Sequence, residues 1–150
     1  NIAHAITALM AQNKGAIKTN RIKAAFLCGI KIELIYGIFI FLLCFFLAHP
    51  LMQLFSSDPM VCKHGVTYLK LISLMYLFPA VTNGVQGYFR GIGDLKITLI
   101  SSFVNMSVRV IFAAILVFHF SLQIEALPFS YLAGWIGMLV AEIPLLLKKF

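Results

Sequence analysis

Four long apolar runs, at about residues 24–55, 66–89, 97–120 and 126–147, decide the solvent in which this chain can fold. Each supplies about 20 or more residues, enough at ~1.5 Å per residue for a helix to cross a ~30 Å hydrocarbon layer. The cations are sorted among the connections. Lys14, Lys18, Arg21 and Lys23 precede the first run, Arg90 and Lys96 separate the second from the third, and Lys148 and Lys149 follow the fourth. The alternate connections hold only Lys63. This is the positive-inside pattern of a multi-pass membrane protein, and it predicts that the basic loops and the C-terminus lie in the cytoplasm.

Composition agrees. With 61% hydrophobic and 11% charged residues in 150, the polar surface is too small to cover a soluble globule. A membrane β-barrel would need ~10-residue alternating segments, whereas residues 71–89 carry no charge and do not alternate. The expected fold is therefore all-α and polytopic. A formal net charge of +7 would suggest nucleic acid for a soluble chain, but here the cations sit in short loops and no nucleic-acid partner is expected. Cys28, Cys44 and Cys62 form no CxxC pair and read as small hydrophobes, so neither metal nor redox chemistry is expected. Asn1–Ala11 has no basic n-region and no initiating Met, so no signal peptide is read and the chain reads as a piece of something longer.

Local signals set the boundaries. Residues 1–16 read as the end of a helix stopped by Lys14 and Gly15. A span over about 24–50 is expected to begin near Lys18 and to break at Pro50. Ser57-Asp58-Pro59 offers a capping oxygen followed by Pro at the first helical position, starting a span over 59–89. Within it Pro79 should bend the helix near mid-membrane. The run Arg90-Gly91-Ile92-Gly93-Asp94 permits a tight cytoplasmic turn into the span at 97–120. The next connection is polar only at Ser121, Gln123 and Glu125, and its shortness makes that span and the one at 126–147 antiparallel neighbours.

The polar residues within the spans fall on stripes. Thr98, Ser102, Asn105 and Arg109 share one face of the third span, and Tyr76, Asn83, Gln86 and Arg90 one face of the second. Tyr131, Trp135, Met138 and Glu142 share one face of the fourth. Two readings fit: interhelical hydrogen bonding and packing, or a cavity whose aromatic, thioether and amide groups suit amphipathic cations. Arg109 lies ~18 Å into its span and needs a partner; it either bonds backbone carbonyls such as the one freed by Pro79 and locks helices together, or sets the electrostatics of a cavity. Glu142 lies ~9 Å from the basic end, which makes a direct pair with Arg109 uncertain. Lys31 and Glu33 read as interfacial anchors, and Lys70 as a snorkelling side chain. His4, His49, His64 and His119 lack ligand spacing. Gly87–Gly91 and Ala133–Gly137 are small-xxx-small steps suited to close helix contact.

Several segments in order resemble one family. Ala11-Gln12-Asn13-Lys14-Gly15-Ala16, Pro50 to Leu54-Phe55 followed by Asp58, Tyr68-Leu69, Phe89-Arg90-Gly91-Ile92-Gly93-Asp94 and Val108-Arg109 are together similar to multidrug and toxic compound extrusion (MATE) transporters. The resemblance implies a twelve-helix, two-lobe protein with both termini cytoplasmic. This chain would then be the end of the eighth helix plus the ninth to twelfth helices, part of the C-terminal lobe. It also implies exchange of H+ or Na+ against organic, often cationic, drugs by alternating access. Some members carry a cation-binding acid where this chain has Pro79, so the coupling site is expected outside the chain, in the missing N-terminal lobe or seventh helix.

The expected function is thus membrane transport without a cofactor. Small organic substrates would enter a cavity drawn from Tyr76, Asn83, Gln86, Asn105, Arg109 and Trp135, with Pro79 as a gating kink and Arg90, Gly91, Gly93 and Asp94 as the cytoplasmic turn. The expected setting is the cell membrane, and the partners are the bilayer and the missing lobe. A lipid-linked oligosaccharide flippase is the alternative, although a diphosphate would call for more cations than Arg109 alone. An enzyme lacks an acid, base and nucleophile set, and Gly91-Ile92-Gly93-Asp94 lacks the ending of a phosphate loop.

Overall fold

The computed structural model describes residues 2–17, 19–122 and 126–149, which leaves out Lys18, Gln123 and Glu125 of the connections discussed above. The described residues form helices α1 (Ile2–Gly15), α2 (Thr19–Phe46), α3 (Ala48–Gln53), α4 (Pro59–Met75), α5 (Leu77–Gly91), α6 (Leu95–Phe118) and α7 (Ala126–Leu147), with no strand among them. Three of these, α2, α6 and α7, are long and apolar enough to cross a membrane. The pair α4 and α5, bent by 49°, is long and apolar enough to cross only when the two are taken together as one broken span. An all-α bundle follows from the solvent, because helices satisfy every backbone group within the segment where no water is available.

Helix α4 starts where its cap says it should. The Asp58 carboxylate accepts from the N–H groups of Met60 at 2.7 Å and Val61 at 3.4 Å, and Pro59 fills the first turn where no donor is needed.

The two proline breaks fall earlier than their prolines. Helix α2 ends at Phe46, and Pro50, expected to close the span, lies inside α3. The bend expected at Pro79 sits at Tyr76, between α4 and α5. The physical reason is common to both. A proline lacks the N–H that would bond the carbonyl four residues back, and its ring crowds that carbonyl, so the ladder opens at Phe46 and at Met75. The proline itself then rides comfortably as the third residue of the helix that follows.

The core lies toward the end where α1 and α5 terminate. Ile6 and Met10 of α1 are buried among Phe26, Val85, Tyr88, Phe89, Ile97 and Leu146. The rings of Phe26 and Tyr88 meet edge-on with centroids 5.2 Å apart. A Cβ on Gly87 would press on the Ala3 carbonyl, and one on Gly91 would overlap Met10 and the Thr7 carbonyl, so these two glycines let α1 lie backbone to backbone on α5. The second small-residue step acts the same way between α6 and α7, where Val108 packs over Gly137. Much of α6 presents large apolar side chains outward, among them Phe103, Met106 and Val110, as a surface facing lipid or another lobe requires.

Candidate functional site

Residues Pro79, Thr82, Asn83 and Gln86 recur at helical spacing on α5, Ser102 and Asn105 on α6, and Trp135 and Met138 on α7. The three helices bring these eight side chains around one cavity of about 180 Å³. Five sequence candidates, Pro79, Asn83, Gln86, Asn105 and Trp135, are therefore neighbours in space.

Gln86 organises the lining. Arg90 Nη2, one turn along α5, donates to Gln86 Oε1 at 2.8 Å. A guanidinium only donates, so the amide oxygen must face Arg90 and the amide nitrogen must point the other way. That nitrogen donates to Ser102 Oγ at 3.4 Å and to the Met138 thioether at 4.0 Å. Asn105 Nδ2 also donates to Met138 Sδ, at 3.5 Å. The sulfur is a weak acceptor shared by two amides, which leaves both with donor capacity for a bound molecule.

The remaining candidates fall elsewhere. Arg109 does not line the cavity. Its guanidinium carbon lies 3.6 Å from the centroid of the Tyr131 ring, and its aliphatic stem occupies the space left by Gly134. The reason is steric and electrostatic: a side-chain-free position on α7 admits the long stem, and the ring face then meets the charge. Tyr76 sits at the bend and lines a separate cavity of about 430 Å³ with Ile2, Glu33, Tyr36 and Asn83, so Asn83 alone among the candidates borders both.

Arg90, Gly91, Gly93 and Asp94 form the turn between α5 and α6. Gly93 takes φ +79°, Asp94 N–H donates to the Phe89 carbonyl at 2.9 Å, and Gly93 N–H donates to Arg90 O at 3.1 Å. This is a Schellman ending, which satisfies carbonyls that the last helical turn leaves open. Lys14 of α1 donates to the Ile92 carbonyl at 2.6 Å, and Lys149, just past α7, pairs with Asp94 at 3.3 Å, so the ends of α1 and α7 both converge on this turn.

Three side chains have a larger part than the sequence assigned them. Thr82 joins the cavity, and its position three residues past Pro79 on the same face was the available signal. Glu33 is not an interfacial anchor but is 5% exposed and borders the larger cavity. Lys31 and Glu33 are only two residues apart, so they occupy different faces, and Glu33 takes the inward one. Glu142, at the end of the α7 stripe, is fully buried. Lys70 places its ammonium over the ring of Phe45, 5.7 Å from the centroid, which anchors it by its charge as well as its stem.

With this geometry in view, the comparisons are specific. The MatE family model matches residues 1–115. The chain belongs to the MATE family. Over 143 residues it is 27% identical to a Thermotoga maritima protein named "Probable multidrug resistance protein NorM", covering 95% of this chain and 29% of that one. Its MATE fold superposes with a TM-score of 0.86, at 19% identity, on an inward-facing multidrug resistance MATE family transporter of the MOP superfamily. That match covers 98% of this chain and 34% of the other. The chain thus spans about a third of the length of these two relatives.

Proposed function

We propose that this chain is the larger part of one lobe of a secondary antiporter that exports organic, often cationic, molecules in exchange for H+ or Na+. The observation that carries the reading is the cavity between α5, α6 and α7, in which amides, a thioether and an indole line one space with no charged group among them. An amphipathic cation can lie on the Trp135 ring face and bond the amides without facing a fixed positive charge. The multidrug relatives support the same substrate class, and the chain brings no nucleotide-binding loop that would supply energy directly.

Within this reading the basic ends of α1, α5, α6 and α7 are cytoplasmic, as the sorting of Lys and Arg predicts for a protein of the cell membrane. The coupling acid belongs to the lobe or helix upstream, since Pro79 occupies the position of the acid carried by some similar transporters. Arg109 covered by Tyr131 speaks against the flippase alternative, because the cavity then offers no cation to a diphosphate.

The test is transport by the complete protein. Expressed in a pump-deficient host, it should lower the accumulation of a fluorescent cationic dye, and collapsing the H+ and Na+ gradients should abolish that effect. Dye uptake equal to that of the empty host would sink the antiport reading.

A further inference from the structure

One turn past Met138 the α7 stripe reaches Glu142, which is 0% exposed and has no hydrogen-bond partner at either carboxylate oxygen. Ser101 of α6 and Gln86 and Arg90 of α5 lie close enough to favour its carboxylate, but the Ser101 hydroxyl donates to Ile97 O and the Gln86 amide to Ser102 and Met138, so neither makes a well-formed bond to it here. Arg90 is the one cation in that set and acts on the carboxylate only through space: Nη2 donates to Gln86, and the buried Nε finds no partner. Among the described residues no ion pair links Arg90 to Glu142. Instead the pair at this end of the bundle joins Lys149 to Asp94.

Among the described residues Arg90 is the one charged group that acts on Glu142, and Lys96 of α6 is exposed. Helix α6 offers hydroxyls, with Thr98 Oγ1 also buried and unpartnered and Ser101 Oγ donating to Ile97 O at 2.8 Å. From α1, Lys14 is committed to the Ile92 carbonyl. The ionisable residues of α4, Lys63, His64, Tyr68 and Lys70, lie on the other side of the bend at Tyr76.

An ionised carboxylate buried without a paired charge or hydrogen bonds costs far more than the same group carrying a proton. Three buried polar groups short of partners, on three adjacent helices, are an arrangement that a change of partners would satisfy.

We propose that Glu142 is a proton-binding site of this lobe, loaded in the conformation described here and emptied when Arg90 leaves Gln86 to pair with the carboxylate. The carboxyl O–H gives its proton to a water admitted between α5 and α7, leaving a carboxylate and a hydronium ion. The negative charge then takes the guanidinium. Gln86 Oε1, released from Arg90, turns toward the cavity, so proton occupancy at Glu142 changes the hydrogen-bonding groups offered to a molecule bound there. The site is additional to any coupling acid upstream, and its existence does not depend on what the protein exports.

The experiment is infrared difference spectroscopy between acid and alkaline buffer on the complete protein in liposomes, without substrate. Wild type should show a protonated-carboxyl C=O band that is lost on the alkaline side, and Glu142→Gln should remove that band while unfolding at the same temperature as wild type. An unchanged band in Glu142→Gln would overturn the proposal, whatever the dye assay gives. Should Glu142→Gln fail to fold, Glu142→Asp must shift the band, and an unshifted band would overturn it equally.

Discussion

Arg109 is a membrane-depth cation satisfied by a ring. Its guanidinium at 3.6 Å from the Tyr131 centroid gains about 1–2 kcal/mol in a partly desolvated setting, and Gly134 makes room for the stem. Arg109→Leu should therefore lower the unfolding stability of the complete protein by about 1–2 kcal/mol, with Arg109→Lys falling between, because an ammonium keeps the charge but not the planar stacking. Dye export in Arg109→Leu should fall only in step with the amount of folded protein. Lost export at unchanged stability would place the guanidinium on the transport path. The sequence showed that Arg109 needed a partner, since its depth is simple arithmetic on helix rise. It could not show which, because the choice turns on Gly134, whose importance exists only once α6 and α7 lie side by side. Gln86 was more legible: its spacing from Asn83 and Arg90 put all three on one face, and the part of that face with Asn83 and Gln86 lines the cavity. Glu33 was misread for the opposite reason, because distance along the chain to a basic loop says nothing about which side of α2 meets the bundle.

At the scale of elements, Pro50 and Pro79 mark breaks but not their positions, whereas Pro144 sits inside an unbroken α7. Pro50 and Pro79 each stand third in a helix that starts anew after the ladder has opened, so the bend is best located from the orphaned carbonyl rather than from the ring. Pro79→Ala restores the donor that Met75 lacks. It should straighten the 49° junction at Tyr76 and slow dye export while leaving the protein folded. Distances between spin labels at Thr67 and Lys96 would report the straightening, and an unchanged distance would mean that tertiary packing, not the missing N–H, imposes the bend. The start of α4 was readable in advance because its cap is local chemistry: an Asp oxygen, two N–H groups and a proline where no donor is needed. The end of α2 was not, because a strongly apolar run continues through the break without a change in pattern.

At the scale of the molecule, α1 is held by contact rather than by charge alone. Its backbone rests on Gly87 and Gly91 of α5, and its Ile6 and Met10 fill the core. Gly91→Val should cost about 1–3 kcal/mol, because the Thr7 carbonyl that its side chain would meet is backbone and cannot rotate away. Thermal unfolding of the complete protein measures this, and wild-type stability would show that α1 docks loosely. The helical membrane architecture was legible from hydropathy, because the bilayer imposes long apolar runs on the sequence itself. The pairing of faces was not, since helices in lipid choose partners by small residues and shape, which a single sequence records only faintly.

The turn closed by Gly93 has a consequence for how such a chain enters a membrane. Three residues, Ile92 to Asp94, join α5 to α6, and the backbone N–H of each donates back into α5, so the connection holds no slack. The two segments must then insert as one hairpin. Gln86 and Ser102 lie on opposite arms of that hairpin and are already within bonding reach, so each shields the other as both leave water. The Gln86 amide, costly to bring into hydrocarbon, is thus carried in with its hydroxyl partner, before any later helix arrives to cover it.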